Sequence, residues 1–194
     1  MNIETVRKVL DALNTHGLEP IVFGGWSVDG CVGVQRRHHS DLDMVVPVED
    51  FAKCVHILTH DMNYAWKSNS CFLTGCQKAE LVSEENDLVE VFGYVQIDEE
   101  MRFEGLLFTV QTSLKAMNPQ HKISIGGVSF RVFKPDVVRK MTAKLSQVQE
   151  DKETVKNWGT EDRVQCTTEQ RAYADNRQAM LNGGIQDESP CYGF

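Results

Sequence analysis

VFGGWSVDGCVGVQRRHHSDLDMVV, residues 22–46, is the stretch whose reading decides the fold. A short apolar run ends in Gly24-Gly25, a break follows, and a second apolar run opens with Asp41 and Asp43. Side chains alternate along a strand, so a spacing of two points both carboxylates to the same face. Two carboxylates facing one way repel unless something positive lies between them, and a divalent ion bound through oxygen is the usual remedy. Magnesium is the expected ion. Gly24 and Gly25 carry no side chains, which lets the chain turn sharply and lets a ligand approach the backbone. A short helix expected from Trp26 to about Gly33, with Ser27 or Gly25 near its start, would offer unpaired amides to an anion such as phosphate.

The flanking sequence builds a mixed sheet around this stretch. Ile3, Val6, Val9, Leu10 and Leu13 fall on one face of a helix that Gly17 stops. Residues 20–23 form a first strand and 41–46 a second, ended by Pro47. Residues 50–62 read as a helix with Phe51, Cys54, Val55 and Leu58 on its apolar side. Residues 78–83 and 88–95 read as strands joined through the polar turn 84–87. Residues 103–111 are taken as one strand, and 123–132 as a hairpin turning at Gly126-Gly127. After Lys134-Pro135 the spacing of Val137, Val138, Met141, Leu145 and Val148 turns helical. The expected fold class is therefore α/β (α+β): an α/β half over residues 1–134, then a helical region over 135–181 interrupted near Gly159. A small, polar, loose tail follows over 182–194.

Composition narrows the function. The 194 residues suit one domain with a substantial core, and a hydrophobic fraction of 41% with 25% charged residues is that of an ordinary globular protein. A net charge of −8 argues against a sequence-independent grip on a nucleic-acid backbone and favours a small or cationic partner. No apolar run approaches the roughly 18–20 residues that span a bilayer. The start, Met1-Asn-Ile-Glu-Thr, lacks a charged-then-apolar secretory signal, so the expected location is the cytoplasm. There the six scattered cysteines should be reduced thiols. His56, His60, Cys71 and Cys76 fit no common zinc spacing.

Gly24-Gly25-Trp26, Asp29, Gly33, Arg37, His39 and Asp41-Leu42-Asp43 closely resemble the antibiotic nucleotidyltransferases, in particular the aminoglycoside 2″-nucleotidyltransferases and the lincosamide nucleotidyltransferases. These belong to the DNA polymerase β-type superfamily. The resemblance implies transfer of a nucleoside monophosphate from a nucleoside triphosphate to a substrate hydroxyl, with magnesium on the paired aspartates. An in-line displacement at phosphorus asks the protein mainly to position groups and neutralise charge, which suits that site. A third carboxylate usually completes it. Glu90 is the best candidate, one acid inside the apolar strand Leu88-Val-Glu-Val-Phe92, with Glu80 and Glu104 as weaker competitors. The resembling enzymes often have aspartate there, which leaves Glu90 as metal ligand, general base or both. Position 40 is serine where they frequently carry an acid.

Arg37 and His39 match the family motif and are expected, with Gly24 and Gly25, to hold the triphosphate, arginine through its fork of donors. Arg36 and His38 could assist or form a solvated loop. Trp26 and Asp29 are expected to pack and orient the helix. Lys144 is a candidate phosphate contact, and the segment 150–153 weakly resembles a lysine-and-acid segment of related helical domains. The leading expectation is adenylylation, from ATP, of a small hydroxylated acceptor such as an aminoglycoside or lincosamide, with a homodimer left open. A nucleotidyltransferase toxin acting on RNA or protein, and an inactive nucleotide-binding module, are the competing readings.

Overall fold

The computed structural model describes residues 1–71, 75–105, 108–117 and 122–156. Helix α1 (Ile3–Thr15) is capped by the Asn2 side chain, which accepts from the Thr5 amide at 3.0 Å. Strand β1 (Ile21–Val22) runs into helix α2 (Gly24–Val32), and strand β2 (Asp41–Pro47) leads through Pro47 into helix α3 (Val48–His56). A π turn, Ile57–Asp61, extends α3. Strands β3 (Ala65–Cys71), β4 (Gln77–Val82), β5 (Leu88–Ile97), β6 (Glu100–Gly105) and β7 (Phe108–Ser113) follow. A 3-10 turn (Leu114–Met117) precedes β8 (Lys122–Ile125) and β9 (Val128–Val132), and helices α4 (Pro135–Leu145) and α5 (Gln149–Val155) close the described chain.

The main path of the sheet is β3-β4-β5-β2-β1-β9-β8. The β2–β5 and β1–β9 pairs are parallel, and β1–β2, β3–β4, β4–β5 and β8–β9 are antiparallel. The long strand β5 leaves β4 after Gly93 and β2 after Tyr94 and pairs from Val95 with β6, which in turn pairs with β7. Alternation along β2 sorts the two faces. Leu42, Met44 and Val46 pack with α1 and α3, whereas Val45 joins Phe92, the β6–β7 hairpin and α4. Phe23, Phe92, Phe103, Phe108 and Phe133 make a chain of ring contacts on that second face, with centroids 5.3–6.3 Å apart.

Three expectations need correcting. Residues 103–111 are not one strand: Gly105 ends β6, and Phe108 begins the antiparallel β7. An alanine Cβ at Gly105 would lie 2.3 Å from the Phe108 ring, so the missing side chain is what lets the two strands close. The late helix breaks at residues 146–148, and Val148, 36% exposed, caps α5 instead of extending the apolar face of α4. The helix after Phe23 starts two residues early, at Gly24, whose positive φ of 62° makes the turn from β1 into α2. Strand β3 was not anticipated. Its largely exposed residues, Ala65 to Cys71, have no apolar alternation, and pairing with β4 alone orders them. The Gly126-Gly127 turn and the 84–87 turn are where the sequence puts them. Gly159, the tail and Cys166 and Cys191 lie outside the described residues.

No helix among the described residues is long and apolar enough to cross a membrane. Among the described residues, Cys31, Cys54 and Cys71 are unbridged thiols, and Cys76 donates its thiol to the Arg102 carbonyl at 3.4 Å.

Candidate active site

The parallel register of β2 on β5 sets Asp43 directly beside Glu90, and the antiparallel register of β4 sets Glu80 beside Glu90. Three carboxylates thus stand in a row across three strands, with Asp41 two residues before Asp43 on the same face. The first turn of α2 closes the row from the side. A Cβ on Gly24 would lie 2.1 Å from Asp43 Oδ2, so the helix start and the carboxylate occupy touching positions that only glycine permits. Trp26, 1% exposed, donates its indole N–H to the Asp41 carbonyl at 3.1 Å and fixes α2 on the end of β2.

Crowded carboxylates show in their proton affinities. Burial, reinforced by the Asp41 and Glu90 charges, pushes the Asp43 carboxyl well above the ordinary carboxylate range, and Lys78 only partly opposes this. Glu90 is also raised, by burial first, against the pull of Lys78. Lys78 is the residue that sequence reasoning missed. Its ammonium lies 2.6 Å from Glu80 Oε1, 3.0 Å from Glu90 Oε2 and 5.2 Å from the Phe92 ring centroid. Part of the signal was legible: Lys78 and Glu80 are spaced two apart in β4, so they share one face, and the register of β4 on β5 makes that the face of Glu90. Glu104 is drawn instead to Arg102, at 2.7 Å on its own strand.

Among the described residues, no three His, Cys, Asp or Glu side chains are gathered closely enough to enclose a metal ion by themselves. The donor set still fits magnesium, which commonly takes one or two carboxylates and completes its shell with water and substrate phosphates. Asp41 and Asp43 supply two carboxylates on one face, and burial together with the Asp41 and Glu90 charges raises the proton affinity of Asp43 against the partial opposition of Lys78. Glu90, held by Lys78, is less open to that role.

In the loop before β2, His39 is buried and Arg36 and Arg37 are held by contacts, whereas Val34, His38 and Ser40 are exposed. Asp29, fully buried in α2, accepts from the Arg36 amide at 3.0 Å and from Arg36 Nε at 2.7 Å, and meets His39 Nε2 at 2.7 Å. Burial alone would raise the Asp29 pKa, but the contacts with His39 and Arg36 outweigh it and leave the pKa lowered. His39 packs on Trp26 with ring centroids 4.3 Å apart and the ring planes tilted by 34°. Arg37 lies against the helix start, since a Cβ on Gly25 would stand 2.4 Å from its Nη2 and 2.6 Å from His39 Nδ1. Its Nη2 is 2.6 Å from Asp151 Oδ2, and this hydrogen bond strengthens its hold on the proton. His38 Nε2 lies 3.0 Å from the Met1 ammonium. The expected site residues Asp41, Asp43, Glu90, Gly24, Gly25, Arg37 and His39 therefore gather around the row, whereas Lys144 is exposed in the last turn of α4.

A profile of the aminoglycoside-2''-adenylyltransferase family matches residues 5–91, a span that includes α2, β2 and Glu90. Among solved structures, the lincosamide antibiotic adenylyltransferase LnuA with lincomycin bound is similar at a TM-score of 0.62 and 16% identity, over 81% of this chain and 96% of that one. ANT(2'')-Ia in complex with adenylyl-2''-tobramycin is similar at a TM-score of 0.54 and 18% identity, over 93% of this chain and 91% of that one. The solution structure of the antibiotic-resistance factor ANT(2'')-Ia gives 0.56 and 17%, over 92% and 93%. No curated protein sequence matches the chain.

Proposed function

We propose that this chain, which resembles the antibiotic nucleotidyltransferases in sequence over residues 5–91 and in fold across most of its length, is a magnesium-dependent nucleotidyltransferase that moves AMP from ATP to a hydroxyl of a small antibiotic-type acceptor, an aminoglycoside or a lincosamide. One observation carries the reading: Asp43 stands in register beside Glu90, with the glycine start of α2 pressed against it. This supports reading Asp41 and Asp43 as metal ligands, Glu90 as the base and the helix start as a phosphate cradle.

The division of labour follows from the residues. Asp41 and Asp43 would hold the magnesium, which when bound neutralises phosphate charge. Gly24 and Gly25 open the helix start to the triphosphate, and Arg37 presents guanidinium donors beside it. His39, buried between Trp26 and Asp29, keeps the loop that carries Arg37 folded onto α2. Glu90 takes the proton of the acceptor hydroxyl as its oxygen attacks the α-phosphorus. The new phosphorus–oxygen bond forms as the bond to pyrophosphate breaks, and pyrophosphate leaves. Lys78 holds Glu90 from the side away from Asp43, along β4. The overall charge of −8 suits an acceptor that carries amines.

The test is direct. The protein is incubated with magnesium and each nucleoside triphosphate against a panel of aminoglycosides and lincosamides, and products are read by mass. Addition of one AMP mass to one class, lost in Asp41→Asn at unchanged thermal stability, is the expected result. No nucleotide addition to any acceptor, or full activity in Asp41→Asn, rules the reading out.

A further inference from the structure

Arg36 and Arg37 reach across to the last described helix. Asp151 of α5 is 2% exposed and spends both oxygens on them. Its Oδ1 lies 2.9 Å from Arg36 Nη2 and 3.2 Å from Arg37 Nε, and its Oδ2 lies 2.6 Å from Arg37 Nη2. Arg36 also donates to Thr154 Oγ1, one turn further along α5, and to Asp29 in α2. Arg37 gives Nη1 to the His38 carbonyl at 2.9 Å. Two aspartates and two arginines therefore interlock, tying α2 through the 36–39 loop to α5, some 114 residues away in sequence.

Such an arrangement is costly as a mere fastening. Burying four charges incurs desolvation that their mutual attraction only offsets when the geometry is well satisfied, and apolar residues would join two helices as firmly. What charge adds is orientation. A guanidinium held at Nε and Nη2 by one carboxylate, and at Nη1 by a carbonyl, has a fixed plane. For Arg37 that plane lies against Gly25, at the start of α2.

We infer that Asp151 is a positioning residue for the triphosphate site: it holds Arg37 at the start of α2 in the orientation that receives phosphate oxygens, which makes α5 an integral part of the nucleotide site. The inference rests on the reading of Arg37 as a triphosphate contact. Preorganising the guanidinium removes the ordering cost that a free arginine side chain would bring to binding. Asp151 acts on the triphosphate through Arg37, while its bond to Arg36 ties α5 to Asp29 of α2.

The experiment compares the full chain with Asp151→Asn, Asp151→Glu and Arg37→Ala, measuring thermal melting, magnesium-ATP affinity by calorimetry, and kcat and KM for each substrate. Asp151→Asn leaves two guanidinium groups with one anion fewer and puts the fold at risk, so Asp151→Glu, which keeps the charge but displaces it by a methylene, is measured beside it. Magnesium-ATP affinity should fall about tenfold in Asp151→Asn and about threefold in Asp151→Glu, each with the KM for the acceptor unchanged. In the Arg37→Ala background, Asp151→Asn should cost no further affinity. Wild-type nucleotide affinity in a folded Asp151 variant overturns the inference, as does a parallel loss of nucleotide and acceptor affinity, which marks a structural role only. Arg37→Ala with wild-type nucleotide affinity instead overturns the reading of Arg37 itself, and the two failures are told apart by which variant shows them.

Discussion

Asp43, a metal ligand in the proposed reaction, is held in the fold at a cost. Its raised pKa means the folded state holds the proton more tightly than the unfolded chain, so ionisation at neutral pH works against folding. That penalty is full above the folded pKa and fades as pH falls toward the unfolded value, about 3.9. Asp43→Asn should therefore melt higher than the parent at pH 7.5 in the absence of metal, by roughly 2–4 °C per kcal/mol of relieved repulsion. The gain should vanish near pH 4 and shrink at pH 7.5 when magnesium is added. Equal melting shifts at both pH values would show that Asp43 is not under electrostatic stress. Glu90 tests the chemistry. Glu90→Gln keeps shape but cannot accept a proton, so turnover should drop by about 10²- to 10⁴-fold with nucleotide affinity nearly intact. Glu90→Asp should retain partial activity. A loss of nucleotide affinity in Glu90→Gln would make Glu90 mainly a metal ligand, and normal turnover would place the base elsewhere.

At the scale of elements, α2 is the part that everything else must fit. It touches β2 through Trp26, α4 through the second core and β8 through Gly30. An alanine Cβ at Gly30 would lie 1.6 Å from Ile123 Cδ1. In a free helix Gly→Ala gains about 1 kcal/mol, but overpacking here should cost about 1–3 kcal/mol. Gly30→Ala should therefore destabilise the chain in urea unfolding, and Ile123→Val, which removes Cδ1, should rescue most of the loss. If the double variant is as unstable as the sum of the single ones, α2 is not seated through this contact.

Across the whole molecule, the change of character at residue 134 is a change of secondary structure within one core. Val137, Val138, Met141 and Val155 pack in the same cluster as Ile21, Phe23, Val28, Val45 and Phe133. Cutting the chain after residue 134 would bare that cluster and strip Asp151 from both arginines. A 1–134 fragment is expected to melt without a cooperative transition, whereas the full chain should show one by circular dichroism. A sharp transition in the fragment would make the first 134 residues a self-sufficient unit.

Residues 22–46 alone determine a good deal: a strand, a glycine turn, a helix and a strand with two acids on one face all follow from local chemistry, as does the Gly126-Gly127 hairpin. Periodicity and turn residues act over a few positions, which is why they can be read. The place of Glu90, a lone acid inside the apolar strand β5, was legible for a related reason, since alternation is local. Other features depend on which strand lies beside which. The register that puts Glu90 beside Asp43 and Glu80, and the ammonium of Lys78 between two glutamates, come from pairing between distant segments. The edge strand β3, lacking an apolar face of its own, exists only because β4 offers free backbone groups. The charge on Arg37 could be read from the chain, but its orientation could not. Only the packing of α4 and α5 on α2 brings Asp151 to it, because an ion pair across 114 residues leaves no local trace in composition or spacing.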